Sequence, residues 1–161
     1  MPRSRRTSPV DALIGVSAHV SRWVERLLAG HDPPLTLSQF QALRAIAAGP
    51  VTAAELARRT GVSGAAVSQL VGGLEQRGFV ERAREPGDRR RHALALTPAG
   101  SAALGSATRL LNARLGGLLA DLPRPEADSL ARLLDKVEHA LGGAPPPRRP
   151  PPPPRPRPRR P

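Results

Sequence analysis

The apolar positions between residues 52 and 80 have the periodicity of two short helices separated by a tight turn. The first helix carries its apolar face at Ala53, Leu56 and Ala57, and the second repeats apolar residues at Val67, Leu70, Val71 and Leu74. Gly61 lies between them, and glycine adopts the left-handed backbone of a turn at no steric cost. Two helices joined in this way predict a helix-turn-helix, whose second helix enters the major groove of DNA.

Two stretches that follow this unit have the alternation of short β-strands. Residues 79–82 and 92–96 flank a segment at 84–91 that reads REPGDRRR. Its Pro-Gly-Asp sequence at 86–88 favours a turn. The pattern predicts a β-hairpin with an arginine-rich tip, and a helix-turn-helix followed by such a hairpin is a winged helix.

Longer amphipathic patterns lie on both sides of the predicted winged helix. They predict helices over residues 9–30, 35–48, 98–120 and 126–141, and Val51 is expected to add a short third strand. The first and the last two of these helices carry more apolar surface than a small winged helix needs for its own core. We therefore expect this surface to be buried against a second subunit, although it could instead thicken the core of a monomer.

Several segments of the chain resemble the MarR family of transcriptional regulators, over roughly residues 9 to 141. They read LTLSQF at 35–40, LARRTGVS at 56–63, LEQRGFVER at 74–82, and DRRR with LTPAG between 88 and 100. The resemblance implies a mainly α fold with a small β-hairpin wing, in which N- and C-terminal helices form the dimerisation region. It also implies a homodimer that binds palindromic double-stranded DNA, in many members as a repressor that a small molecule releases.

The start of the second helix of the helix-turn-helix holds the residues that we expect to face base edges. Glutamine can read adenine through two hydrogen bonds, and alanine can contact a thymine methyl group. No arginine is available on this face for guanine, which departs from the family pattern and puts sequence specificity in doubt. Ser63 is placed equally well to cap the helix, and both roles can hold together. The candidates are Ser63, Gly64, Ala65, Ala66, Ser68 and Gln69.

The arginine-rich hairpin supplies the second group of candidates. By resemblance, Arg90 enters the minor groove, and Asp88 pairs with it and holds it in place. A narrow A·T-rich minor groove concentrates negative potential, which favours arginine there. Arg89 and Arg91 are expected to bind phosphates, and Arg84 belongs to the same basic stretch. The alternative is a solvated charged turn with no role in binding.

The charge of the chain is concentrated at its two ends. The net charge is +12 over 161 residues, which points to a polyanionic partner. Residues 1–8 read as a flexible basic arm and residues 142–161 as a disordered Pro/Arg-rich tail, which leaves 9–141 as the regulator domain. Two basic ends and a reduced base-reading face keep open a weakly specific architectural or DNA-coating protein. An adaptor that uses the tail to bind a protein partner is a third class.

Other kinds of site find little support in the sequence. The chain has no cysteine, which excludes disulfides and thiolate metal sites. The four histidines share no metal-ligand spacing and no catalytic motif occurs, so we expect neither an enzyme nor a metal or other cofactor. His19 and Trp23 lie four residues apart where the family has its effector cavity, and they either line that cavity or pack at the dimer interface. Without a membrane-length apolar run or a signal sequence, we expect a cytoplasmic protein.

Overall fold

The computed structural model describes residues 8–60, 62–85 and 88–143, with 84–85, 88–92 and 142–143 described by their backbone alone. Within these ranges the elements follow in the order α1 (Pro9–Ala29), α2 (Leu37–Ala47), α3 (Ala53–Thr60), α4 (Gly64–Gln76), β1 (Val80–Glu85), β2 (Asp88–Leu96), α5 (Pro98–Leu119) and α6 (Arg124–Gly143). The predicted mainly α fold with one β-hairpin is confirmed. Among the described helices, none is long and apolar enough to cross a membrane.

Some of the features predicted from the sequence lie outside the described residues. These are the first seven residues of the basic arm, the turn residue Gly61, the hairpin residues Pro86 and Gly87, and the tail from residue 144 onward.

Hydroxyl side chains fix where most of the helices begin. Ser8, Thr36, Ser63 and Thr97 each accept a hydrogen bond from a backbone N–H in the first turn of the helix that follows. Thr52 stands before α3 in the same way. Each hydroxyl satisfies an amide that has no partner within the helix, so these helices start where the sequence places a short polar side chain.

The second helix begins at Leu37 and not at residue 35 as predicted. Thr36 accepts a hydrogen bond from the amide of Gln39 at 3.1 Å, and the side chain of Gln39 accepts one from the amide of Thr36 at 3.0 Å. This reciprocal pair is a capping box, and it defines Thr36 as the residue before the helix. Leu35 is buried outside the helix, where its amide donates to the carbonyl of Leu28 at 3.0 Å.

The two strands form an antiparallel sheet that is longer than the apolar alternation predicted. The ladder runs from Val80 opposite Leu96 to Arg84 opposite His92, and the register then shifts towards the tip. Backbone hydrogen bonds form this ladder irrespective of side-chain polarity, so the strands continue into the charged segment. We call this hairpin the wing.

Val51 joins the wing as the predicted third strand, although only as an isolated bridge. Its carbonyl accepts a hydrogen bond from the amide of Leu94 at 2.8 Å, and both side chains are buried. The bridge attaches the wing to the segment between α2 and α3.

The hydrophobic core is built from the inward faces of α2, α3 and α4, with contributions from α1, α5 and the wing. From α1 only Val24 and Leu28 are buried. The largest fully buried side chains are Leu28, Leu43, Val51, Leu56, Val67, Val71 and Leu74. Of the apolar faces predicted for the helix-turn-helix, four side chains lie at the centre of the core, namely Leu56, Val67, Val71 and Leu74. The other three, Ala53, Ala57 and Leu70, are half-buried and pack against it.

The start of α5 lies against the segment that joins α4 to the wing, at a place where only glycine fits. A Cβ atom on Gly100 would lie 1.9 Å from the carbonyl oxygen of Phe79. The amide of Thr97 donates to that same carbonyl at 3.1 Å, and its hydroxyl donates to the carbonyl of Gly78. These contacts fix the base of the wing.

The last helix belongs to a second unit of the chain and is described by itself. It begins at Arg124 and ends at Gly143, whereas the pattern predicted 126–141. The helix begins before Pro125, because a proline in the first turn lacks an N–H that would have no helical partner there. Leu133, Leu134 and Leu141 on this helix are exposed.

Candidate nucleic-acid interface

The helix α4 packs one face against the core and exposes the other at its N-terminal turns. Val67, Val71 and Leu74 are buried. The six residues predicted to face DNA lie together at the start of the helix, where Ser63, Gly64, Ala65, Ser68 and Gln69 are exposed and Ala66 is half-buried. We call α4 the recognition helix.

Ser63 caps the recognition helix. Its hydroxyl accepts a hydrogen bond from the amide of Ala66 at 3.3 Å, and the side chain is exposed. The capping role is therefore confirmed. Base contact by Ser63 stays a prediction, and it is compatible with the cap because a hydroxyl has both a donor and a second acceptor site.

The backbone of the wing places its arginine run at the tip. Arg84 pairs with His92, the next pair is Glu85 with Asp88, and residues 89–91 lie within that register shift. The side chains of Arg84, Asp88, Arg89, Arg90 and Arg91 lie outside the described atoms. The pairing of Asp88 with Arg90 and the groove and phosphate contacts of this group stay predictions.

An ion pair attaches the first strand of the wing to the recognition helix. Nε of Arg82 donates to Oε1 of Glu75 at 2.8 Å. Both side chains are partly exposed, so the pair contributes no more than about 1 kcal/mol to stability. Its effect is geometric, because it connects the two elements that carry the candidate DNA contacts.

Three arginines near the recognition helix were not among the candidates identified from the sequence. Arg58 and Arg59 are exposed at the end of α3, directly before the turn that leads into the recognition helix. Arg77 follows the last turn of the same helix and is half-buried. The basic pair was readable as a local charge signal, whereas the contacts of Arg77 are made to residues far away in the sequence.

A cavity of about 350 Å³ lies between α1, α2 and α5. Arg44 lines this cavity, and its guanidinium lies 6.0 Å from the centre of the Phe40 ring. Gln41, Thr108 and Asn112 add polar groups to walls that are otherwise apolar. A cation, amides and a hydroxyl around an apolar space suit a small amphipathic anion.

His19 and Trp23, the predicted effector residues, line a different and more open cleft of about 260 Å³ with Val20, Arg26 and Leu118. His19 is exposed, and its Nδ1 lies 2.7 Å from the carbonyl oxygen of Gly15. Trp23 is half-buried. The structure thus brings the two side chains to one cleft, and their role in binding an effector stays a prediction.

The chain is similar to known DNA-binding regulators. The model of the MarR family matches residues 34–91, from the segment before α2 into the wing. The transcriptional repressor NicR of Pseudomonas putida is 33% identical over 114 residues, which cover 68% of this chain and 72% of that protein. The repressor CouR, solved bound to a 23-mer DNA duplex, superimposes on this chain with a TM-score of 0.68 and is 30% identical in sequence. The superposition covers 81% of this chain and 92% of the CouR chain.

A third relative was solved with a small molecule. A MarR family protein of Mycobacterium tuberculosis in complex with salicylic acid has a TM-score of 0.66 and 28% identity to this chain. The superposition covers 83% of this chain and 98% of that one.

Proposed function

This chain belongs to the MarR family of DNA-binding transcriptional regulators, and we propose that it is a ligand-responsive repressor that occupies palindromic operator DNA as a homodimer. Members of this family are generally not enzymes. The observation that carries the proposal is the exposed N-terminal face of the recognition helix beside an arginine-rich wing. The repressor named NicR and the DNA-bound repressor CouR support it as relatives.

In this proposal the recognition helix reads bases with a neutral surface. Gln69 contacts adenine, alanines contact thymine methyl groups, and Ser63 adds a hydroxyl at the helix start. Arg58 and Arg59 flank this surface and bind phosphates. Because phosphate contacts carry no sequence information, most of the affinity is independent of sequence and falls with rising salt.

The wing contributes the contact to the minor groove. Arg90 enters the groove, Asp88 orients it, and Arg84, Arg89 and Arg91 neutralise phosphates. The ion pair between β1 and the recognition helix supports this arrangement. Because it connects the two elements, docking of the helix in the major groove also positions the wing.

Exposed apolar side chains on the terminal helices support the homodimer. Ile14 on α1 is 64% exposed, Leu118 on α5 is 63% exposed and Leu133 on α6 is 60% exposed. Burial of one such side chain stabilises a complex by about 1.5–3 kcal/mol relative to full exposure. A second copy of the chain would bury several of these side chains, which favours a homodimer. A twofold interface formed by these helices would set the two recognition helices about 34 Å apart, one turn of DNA.

The cavities support a response to small molecules. The relative solved with salicylic acid binds an aromatic carboxylate. The cavity beside Arg44 offers an apolar space with a cation at its wall, which fits that class of ligand. The cleft of His19 and Trp23 is the second candidate site. A ligand that favours one arrangement of α1 and α2 would change operator affinity only by its differential binding to the two arrangements.

The uncharged start of the recognition helix favours a second candidate function, a DNA-coating protein. The recognition helix presents no charged side chain at its first two turns, while the net charge of the chain is +12. A protein with weak base readout and strong phosphate attraction can coat DNA without a preferred site.

Selection of bound duplexes from a random pool at physiological salt, with light scattering on the same protein, tests the proposal. We expect a palindromic site with half-sites about 10 base pairs apart, and a preference of about 10³ or more over random duplex. We also expect the mass of a dimer at micromolar concentration. A monomer with or without DNA would contradict the assembly, and a pool without enrichment would favour the DNA-coating function.

A further inference from the structure

The recognition helix is attached at its C-terminal end to the segment that leads from α1 to α2 and to the first turn of α2. Arg77, the residue that follows the helix, reaches both with its guanidinium. Nη1 donates to Oε1 of Gln39 at 3.2 Å, and Nη2 donates to the carbonyl of Pro34 at 2.7 Å. The guanidinium also stacks on Phe79, 4.6 Å from the ring centre.

We propose that Arg77 is a positioning residue for DNA recognition, which fixes the recognition helix relative to α1 and so sets the half-site spacing that the homodimer accepts. The inference rests on the proposed function, because spacing has a meaning only for a dimer that reads two half-sites. Arg77 acts here through the helix it holds, without touching DNA.

The two acceptors of Arg77 lie in a part of the chain that is itself held in place. Gln39 Oε1 already accepts from the amide of Thr36 within the capping box of α2. The segment before it is bonded to the end of α1, since the amides of His31 and Leu35 both donate to the carbonyl of Leu28. The contacts of Arg77 therefore connect the recognition helix to the end of the helix that we assign to the dimer interface.

The aromatic ring on which the guanidinium stacks is equally constrained. Phe79 is buried, its amide donates to the carbonyl of Leu74 at 2.9 Å, and its own carbonyl faces Gly100 at the start of α5. The stacking platform under the guanidinium is thus part of the core. Both the acceptors and the stacking partner of Arg77 are held in place. Its guanidinium therefore fixes the end of the recognition helix relative to the segment before α2.

The chemistry of this site requires arginine. A guanidinium presents several N–H groups in a rigid plane, which lets two nitrogens serve two separate acceptors while the face of the plane stacks on an aromatic ring. A lysine ammonium is a point charge on a flexible stem and cannot make the same three contacts at once. Lysine at this position would keep the charge and lose the geometry.

The length of the recognition helix makes its C-terminal attachment important for spacing. The helix has 13 residues and is therefore about 20 Å long. With this lever, a rotation of about 5° at the attached end displaces the DNA-facing end by roughly 2 Å, which is more than half the rise of one base pair. Loss of the attachment should therefore relax the spacing between half-sites and leave the reading of each half-site intact.

The test measures binding to duplexes that carry the two selected half-sites with the spacer changed by one or two base pairs in either direction. The wild-type protein should lose about tenfold in affinity or more for each wrong spacer, the size of effect that a mismatched base pair has. Arg77→Lys and Arg77→Ala should flatten this profile to about threefold or less. Their preference for the base sequence within each half-site should not change.

Two further variants serve as controls, and a third tests the attachment from its other side. Arg109→Ala removes the same charge from an exposed position on α5 and should keep the wild-type profile. Gln39→Glu keeps both the capping box and an acceptor for Arg77, so it should also keep the profile, whereas Gln39→Ala should flatten it. Gln39→Ala also removes the side-chain half of the capping box, so its profile is compared with that of the wild-type protein once folding and dimer mass are shown to be kept. Under that condition the Gln39 pair decides the question even if Arg77→Ala fails to fold, because both variants leave Arg77 in place.

The outcomes separate the inference from the function on which it rests. If the wild-type protein selects palindromic sites and folded, dimeric Arg77→Lys keeps the full spacing profile while its affinity falls uniformly, Arg77 is a plain phosphate contact and the inference is wrong. If the wild-type protein selects no palindromic site, the proposed function is wrong and the inference falls with it.

Discussion

Two helical glycines should respond in opposite ways to the same substitution. Gly72 lies inside the recognition helix, and Gly100 lies in the first turn of α5. We expect Gly72→Ala to raise the free energy of unfolding and Gly100→Ala to lower it. The difference follows from what a Cβ atom would meet at each position.

At Gly72 a Cβ atom would meet nothing within 4 Å. Its φ angle is not positive, unlike those of Gly49 and Gly78, so its backbone suits an L-residue. Glycine in a helix interior costs about 0.5–1 kcal/mol relative to alanine, because it loses more backbone entropy on folding. Gly72→Ala should therefore stabilise the protein by about that amount.

At Gly100 the new Cβ would lie 1.9 Å from the carbonyl oxygen of Phe79 and 2.8 Å from its carbonyl carbon. Both atoms belong to the backbone and cannot move aside without displacing α5 from the base of the wing. Overpacking of this kind costs about 1–3 kcal/mol. The displacement also weakens the hydrogen bond from the amide of Thr97 to the same carbonyl, which is worth about 1 kcal/mol. The total loss is about 2–4 kcal/mol.

Equilibrium urea denaturation of both variants and the wild-type protein, at one fixed protein concentration, measures these differences. The concentration must be fixed because the stability of a dimer depends on it. In thermal melts, Gly72→Ala should raise Tm by roughly 1–4 °C and Gly100→Ala should lower it by at least about 4 °C. If Gly100→Ala is as stable as the wild-type protein, the close approach of α5 to Phe79 is wrong. If Gly72→Ala is destabilised, the open space over that glycine is filled in solution.

Other substitutions test the wing, the effector sites and the tail. Arg90→Ala should weaken operator binding by at least 1 kcal/mol, about fivefold, in a titration where the dimer stays folded; Asp88→Ala should weaken it too, and tighter binding would disprove the orienting role of Asp88. Arg44→Ala should abolish release of the operator by small aromatic carboxylates while Trp23→Ala keeps it, and the reverse result would assign the effector to the cleft on α1. Deletion of residues 144–161 should weaken binding to random duplex and flatten its salt dependence, and loss of all preference for the selected site would show that the tail helps to read it.

The helices and strands and their inward faces follow from local patterns in the sequence. Helical spacing at Val67, Val71 and Leu74 identified the buried face of the recognition helix, because amphipathic periodicity is a property of consecutive residues. Ser63 marked the start of the recognition helix in the same way, since a cap needs only a hydroxyl and the next turn. The family was also readable, because its most specific segments are short and contiguous.

The boundaries were less accurate where a local signal competed with a stronger partner. Leu35 had the apolar character of a helix residue, yet the capping box of Thr36 and Gln39 starts the helix after it. The last helix begins at Arg124 and not at residue 126, because a proline in the first turn interrupts no hydrogen bond. In the wing, the backbone ladder extends through charged residues that the apolar alternation could not reveal.

The attachment of the recognition helix depends instead on contacts between residues that are distant in the sequence. Arg77 binds Gln39 and Pro34, 38 and 43 residues away, and nothing in its local sequence names those acceptors. The need for glycine at position 100 is likewise set by the carbonyl of Phe79, and the cavity beside Arg44 exists because three helices leave a gap between them. Local patterns fix secondary structure because the interactions that form it are between near neighbours. Spatial relations between elements depend on contacts between distant residues, which only the folded chain brings within bonding distance.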